Sequence, residues 1–266
     1  MIEDFTTSPR IKDYHIDSIY FDVDDTLTTD GRLTTEAVDA IYQAHRANYT
    51  LVAVTGRSAA WGEMLFRLFP LQAVIAETGA LYFTKRDGKP VVVHSEPDEA
   101  VRAQNTAKRR AASQDVLNSV PEARLALDNL GRLYDVAFDL VEEGPPVSEE
   151  AIRQIKSILK EHGLNFFQSS IHINAFFGRF DKASMVTRYL EQELKCNAQE
   201  KIQQIVYIGD STNDGSLFKL TPLSVGVANI APHLEALHSK GEAPAFTVSK
   251  KGGAGFAQVV ERLCSE

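Results

Sequence analysis

An α/β core built on a parallel sheet, interrupted once by an α+β module, is the architecture that this sequence predicts. Short, wholly apolar runs alternate with amphipathic segments from Ser18 to Ala76, and the same rhythm returns after Phe180. Strands with no polar side belong to a parallel sheet covered by helices on both faces. Between these stretches the pattern changes to helix, strand, strand, twice over, which packs as antiparallel sheet with helices on one face. The expected division is a core of residues 1–83 and 177–266 and an inserted module of residues 84–176.

In order, Ser18 to Val23 reads as a strand and Thr34 to Asn48 as a helix, with Thr34 as N-cap and Glu36 in the first turn, where the helix dipole favours a carboxylate. Thr50 to Val54, Ala59 to Phe69 and Ala73 to Ala76 continue as strand, helix, strand. Leu81 to Phe83 and Val91 to His94 flank Arg86-Asp87-Gly88-Lys89, a hairpin signal. A polar helix from Pro97 to about Val120 carries Lys108-Arg109-Arg110, which reads as a solvated face. Strands are expected over Ala123 to Leu127 and Leu133 to Val141, a helix from Ser148 to about His162, and strands over Asn165 to Ser169 and Ile171 to Phe176. The core then resumes with helix Lys182 to Leu194, strand Gln204 to Ile208, helix Asn213 to Lys219, strand Leu223 to Val227, helix Ala231 to His238 and a helix after Gly252-Gly253.

The 266 residues suffice for one large domain or two modest ones, and the composition is that of an ordinary globular protein. A formal charge of −8 argues against nucleic acid and anionic membrane surfaces as partners, since both are bound largely through excess Lys and Arg. It leaves room for a small anionic substrate, because a metal and one lysine invert the field inside a pocket. Cys196 and Cys264 stand far apart with no Cys/His cluster, so neither a disulfide framework nor a zinc site is expected. Met1 to Asp17 does not read as a signal peptide and no run of 18 apolar residues occurs, so a cytoplasmic location is expected.

The chemistry concentrates just past the predicted strands, at the carboxyl edge where open parallel sheets bind ligands. The run Ser18-Ile-Tyr-Phe-Asp22-Val-Asp24-Asp25-Thr26 ends a buried strand in three carboxylates. Burying unpaired negative charge is expensive, so a cation is expected there, and Mg2+ suits hard carboxylate and phosphate oxygens. Asp22 is then placed to attack phosphorus and Asp24 to donate and accept protons. The plainer reading is a turn or helix cap, for which Asp and Thr are also favoured. Thr55-Gly56-Arg57-Ser58 offers a hydroxyl and a backbone N–H beside a helix start, an anion cradle or simply a capped glycine turn. In Gly209-Asp210-Ser211-Thr212-Asn213-Asp214, two carboxylates four residues apart are suited to gripping a cation opposite Asp22, and Asn213 to meeting a phosphate oxygen; a capping cluster explains only one of the acids. Lys182 begins a helix, where its charge opposes the dipole, so neutralising a phosphoryl group and an aspartate accounts for it better than helix formation does.

Taken together, the four segments resemble the haloacid dehalogenase superfamily of phosphohydrolases, whose signature is an Asp-x-Asp-x-Thr loop, a Ser or Thr after the second strand, a Lys, and a Gly-Asp-x-x-x-Asp loop. Here these stand as Asp22/Asp24/Thr26, Thr55, Lys182 and Asp210/Asp214, so the likeness spans residues 18 to about 260. An insertion between Thr55 and Lys182, with Asp-x-Asp-Asp-Thr and Gly-Asp-Ser-x-Asn-Asp, looks like subclass IIB, the group of Cof-type and sugar phosphatases and phosphomannomutases. Three features depart from it. Glu77-Thr78-Gly79-Ala80 stands where many members have Asn-Gly-Ala, Ala183 follows the lysine in place of Gly, and the cap motifs of the trehalose and sucrose enzymes find no match.

The resemblance implies a Rossmann-like core with a type II cap, and a Mg2+-dependent phosphatase acting on a small phosphomonoester, a sugar phosphate, through an aspartyl-phosphate. It implies Asp22 as nucleophile and Asp24 as general acid and base; Thr55, Gly56, Lys182 and Asn213 around the phosphate; and Asp22, the backbone carbonyl of Asp24, Asp210 and nearby Asp214 around the metal. On cap strands, Arg132, Asp135, Asp139, His172 and Asn174 are candidates to face the substrate, although alternation alone does not say which face looks at the pocket. Two other readings stay open: a phosphosugar mutase, and a receiver-like regulatory phospho-acceptor. The presence of Asp24 and an insertion of about ninety residues weigh against the second.

Overall fold

The computed structural model describes residues 2–169 and 171–265. A nine-stranded sheet forms the core, in the order Glu3–Asp4, Phe246–Thr247, Leu223–Gly226, Ile205–Gly209, Ser18–Phe21, Thr50–Val54, Ala73–Ala76, Leu81–Arg86, Lys89–His94. The first seven pair in parallel and the last two return antiparallel. Because side chains alternate across a strand, each strand feeds two cores. Ile19, Phe21, Leu51 and Ala53 meet the helices Thr35–Arg46 and Gly252–Cys264, while Tyr20, Val52 and Val54 meet Lys182–Gln192 and Gly215–Leu220. Thr34 caps its helix as expected, its hydroxyl accepting the Ala37 N–H at 3.3 Å.

Two sequence expectations change at the module's edges. The hairpin Leu81–Arg86/Lys89–His94, expected in part within the insertion from residue 84, extends the core sheet instead. Leu81, Tyr82 and Phe83 pair with Ala76, Ile75 and Val74, and Tyr82 is buried edge-on against Tyr189. The strand expected over Ala123 to Leu127 reduces to a single bridge, Leu125 with Phe138, followed by a 3-10 turn at Leu127–Gly131. The Asn129 side chain takes over the edge: its amide donates to Ala126 O and Ala137 O, and its carbonyl accepts the Ala137 N–H.

A second sheet therefore has three strands, Asn165–Gln168, His172–Phe176 and Asp135–Asp139, paired antiparallel in that order. Helices Glu99–Ser119 and Glu149–Glu161 cover one face, burying Val116, Ile152, Ile155 and Leu159 against Val136, Phe138 and Ile173. Register assigns the other face. Asp139 lies opposite His172, Ala137 opposite Asn174, and Asn174 opposite Phe167, so the polar positions gather on the uncovered side. Of the triplet expected to be solvated, Arg109 is buried, donating to the carbonyls of Tyr134 (2.7 Å) and Leu133 (3.0 Å). Among the described residues, no helix is long and apolar enough to cross a membrane.

The chain re-enters the core at Asp181, tight against the loop after the strand Ala73–Ala76. Gly79 has φ +98°, and a Cβ there would lie 2.2 Å from the Asp181 carbonyl oxygen. Gly79→Ala is therefore expected to combine backbone strain with a clash that pushes back the helix bearing Lys182. The expected loss is about 2 kcal/mol or more, read as a lowered midpoint in chemical denaturation. An unchanged midpoint would show that this approach has slack.

Candidate active site

Neighbouring strands deliver the acids to one point. Ser18–Phe21 and Ile205–Gly209 pair with Phe21 beside Ile208, and the Asp22 N–H continues the ladder to Ile208 O at 2.9 Å. Asp22 and Asp210 thus leave adjacent strand ends together. Gly209 lets Asp214 fold back beneath them, since a Cβ at residue 209 would lie 2.6 Å from the Asp214 carboxylate. Lys182 enters from the start of its helix, whose N-cap Asp181 forms a reciprocal box with Ser184. Its Nζ is completely buried, 2.9 Å from Asp22 Oδ1 and 2.7 Å from Asp214 Oδ1.

One ammonium faces three buried carboxylates, which offer one oxygen each within 4.8 Å of one another. Burial pushes the Asp22 carboxyl up to about 7, with Asp214 and Asp24 adding to it and Lys182 opposing. Burial, Asp214 and Asp22 push Asp210 up to about 9. Although burial works against its charge, Lys182 is held above the ordinary lysine range by Asp214 and Asp22. A divalent cation fits this donor set, which carries more negative charge than the protein neutralises.

The three acids are not equivalent. Asp214 is saturated: Lys182 and the Tyr207 hydroxyl donate to Oδ1, and the Asp210 and Ser211 N–H groups to Oδ2. Among the described residues, Asp210 receives only longer contacts of 3.2 Å, from Thr26 Oγ1 and Asn229 Nδ2. Asp22 and Asp210 are thus the more available ligands, with Asp214 fixing the lysine and the loop. A second cluster, Asp139, Glu142 and His172, is less suited to a cation, because Arg124 and the N–H groups of Val141, Glu142 and Glu143 already occupy Asp139.

A cavity of about 670 Å³ opens above these groups, between the core strand ends and the polar face of the three-stranded sheet. Asp22, Asp24, Gly56, Lys182, Asp210 and Asn213 line it, while Thr55 and Asp214 are buried just behind. The Asn213 amide nitrogen comes within 3.7 Å of where a Gly56 Cβ would sit, so Gly56 and Asn213 face each other across the floor. The Asp24 carboxylate stands apart from the acidic cluster, held by Arg57 Nε at 2.8 and 3.0 Å. Arg57 also reaches Glu142 at 3.2 Å, and Glu142 lies 3.0 Å from His172 Nε2, tying the proton-transfer candidate to the module. His172 and Arg57 draw the Glu142 carboxyl down to about 2, against burial.

Of the module's candidates, Arg132, His172 and Asn174 line the cavity, whereas Asp135 and Asp139 serve as acceptors for Arg132, Asn174 and Arg124. Sequence reasoning missed Tyr207, Asn229, Phe167 and Gln168. Asn229 follows the strand Leu223–Gly226, so the strand-end rule applied once more finds it. The lone tyrosine in an aliphatic strand marks Tyr207. Phe167 and Gln168 carry no such signal.

A parallel sheet with acids, a lysine and a hydroxyl converging at its carboxyl edge, roofed by an α+β insertion, defines a haloacid dehalogenase-like phosphatase of subclass IIB. The family model for sucrose-6F-phosphate phosphohydrolase matches residues 17–262, and the chain belongs to that family; it is a phosphoric monoester hydrolase. No curated protein matches it by sequence. Among solved structures, a Thermoplasma acidophilum protein superposes with a TM-score of 0.71 at 19% identity, covering 93% of this chain and 98% of its own. The Synechocystis sucrose-phosphatase, solved with sucrose and phosphate, gives 0.60 at 19% identity over 93% of this chain and 97% of its own. The C-terminal domain of the Candida albicans (C. albicans) trehalose-6-phosphate phosphatase gives 0.67 at 13% identity over 100% and 98%. At these identities the likeness shows a shared fold.

The acidic cluster makes a testable statement about cation and pH. Because the folded-state values of Asp22 and Asp210 are raised, the metal-free fold binds more protons than the unfolded chain between about 4 and 9, and it loses stability as pH rises through that window. A divalent cation competes with those protons. At a hundredfold its dissociation constant it is expected to add about 2.7 kcal/mol. The gain in melting temperature over chelator-treated protein should be larger at pH 8 than at pH 5.5 and should vanish in Asp210→Asn. An equal gain in that variant would place the cation elsewhere.

Proposed function

We propose that this chain is a Mg2+-dependent phosphatase that hydrolyses a small sugar phosphate through an aspartyl-phosphate formed on Asp22, with the module after the edge hairpin acting as a cap over the core. The observation that carries the reading is Asp22 at the cavity floor with one oxygen fixed by the buried Lys182 and, among the described residues, no hydrogen bond to the other. Support for the substrate class comes from the family match and from a cavity of a size suited to a sugar ester, lined largely by polar and charged residues with Phe167 among them.

In the first step Asp22 forms a bond to phosphorus as the bond to the ester oxygen breaks, and Asp24 gives the departing oxygen its proton. In the second, Asp24 takes a proton from water, whose oxygen bonds to phosphorus and releases Asp22 and inorganic phosphate. The Thr55 hydroxyl, the Gly56 N–H, Lys182 and Asn213 hold the remaining phosphate oxygens, where positioning and charge supply most of the acceleration. Asp22, the Asp24 backbone carbonyl and Asp210 would hold the Mg2+, with Asp214 behind them. When bound, the ion offsets the repulsion between the nucleophilic carboxylate and the phosphate dianion.

A screen of sugar, nucleotide and polyol monophosphates, following released phosphate with and without Mg2+, tests this. Sugar phosphates should lead, and Asp22→Asn should lose at least about 10³-fold in kcat. Equal turnover in that variant would remove the nucleophile. An isomerised sugar phosphate without free phosphate would move the reading to a mutase.

A further inference from the structure

The loop that carries Thr55 and Gly56 is held from the module as well as from the core. Arg132 has its side chain only 1% exposed, and its Nη1 donates to the Gly56 carbonyl at 3.1 Å. The same nitrogen meets both Asp135 oxygens at 3.0 Å, while Nε and Nη2 grip Asp128 at 2.9 and 2.8 Å. All three guanidinium nitrogens therefore have acceptors, and the fork's aim is set by two carboxylates of the module.

What brings Arg132 to the core is a clamp on the next three residues. The buried Glu77 carboxylate accepts the N–H groups of Leu133 (2.8 Å), Tyr134 (2.6 Å) and Asp135 (3.1 Å), and also that of Ala59 (3.0 Å). From the other side, Arg109 takes the carbonyls of Leu133 and Tyr134. Core and module thus grip one short segment by opposite edges of its backbone.

The consequence runs through one peptide plane. The Gly56 carbonyl and the Arg57 N–H belong to the same peptide and point in opposite directions. Arg132 holds the first, and the second donates to Thr55 Oγ1 at 3.0 Å. A threonine oxygen that accepts this bond keeps its own proton free to donate elsewhere. We propose that Arg132 is a positioning residue for hydrolysis: seated by Glu77, it fixes the Gly56–Arg57 peptide and through it the Thr55 hydroxyl that receives the phosphate. The proposal rests on the reading of Thr55 as a phosphate ligand. On this account the cap steadies the phosphate loop in addition to roofing the substrate.

The test is a double-mutant cycle on inorganic phosphate binding, measured calorimetrically in the full chain with Mg2+ present. Arg132→Met should weaken phosphate by about tenfold, the scale of one misaligned hydrogen bond to a charged group. It should leave the cation-induced rise in melting temperature intact. In the Thr55→Ala background the same change should add less than about twofold, because the hydroxyl it aims is gone. Arg132→Lys cannot serve the carbonyl and both carboxylates at once, so it should behave like Met, and it replaces Met if that variant does not fold. Unaltered phosphate affinity in the Arg132 variants, or equal losses in both backgrounds, overturns the positioning role. A Thr55→Ala protein that binds phosphate normally overturns the reading of Thr55 itself, which separates the two failures.

Discussion

The arrangement depends on a fully buried ammonium, Lys182, set between two buried carboxylates at the end of a sheet. Such a cluster is costly to desolvate, and removing one member leaves an uncompensated charge worth several kcal/mol. Much of the neighbouring architecture serves to satisfy it. Gly79 lets the helix start close in, the Asp181 box stabilises a helix whose first residue has the wrong charge for its dipole, and Tyr207 with two backbone N–H groups completes Asp214. With one positive charge for three acids, the centre is built short of cation, and that deficit is the physical reason a divalent ion fits there.

Around that centre the two sheets divide the labour. The parallel core holds its strand ends at fixed register, so Asp22 and Asp210 are adjacent without help from any loop. The smaller sheet turns its apolar face to two helices and its polar face to the cavity, so the module is stabilised by its own core and its polar side chains are free to line the cavity. Arg57 and Arg132 cross between them, one touching Asp24 and Glu142, the other Gly56 and Asp135. The module is therefore joined both to the Asp24 carboxylate and to the loop of Thr55 and Gly56.

Several expectations read from the chain survive in atomic detail, and the failures are instructive. Asp22, Asp24, Gly56, Lys182, Asp210 and Asn213 meet at one cavity because each stands at a strand end or helix start, places that local pattern marks well. The hairpin at residues 81–94 was assignable as a hairpin but not to a sheet, because pairing partners are a tertiary choice. The strand expected over Ala123 to Leu127 failed because the Asn129 side chain satisfies the edge that a strand would have paired. Arg109 sits in a basic triplet that composition reads as solvated, yet it is buried on two carbonyls.

By itself, then, the sequence determined the α/β rhythm, the strand ends and which polar groups stand there, since alternation, glycine turns and charge at a buried strand's end are local properties. Only the tertiary structure decided that Asp214 is spent on Lys182 and Tyr207, that Glu77 seizes the segment after Arg132, and which side of the smaller sheet looks inward. Those outcomes depend on register and on hydrogen-bond partners many residues apart in the chain. No window of neighbouring residues contains that information.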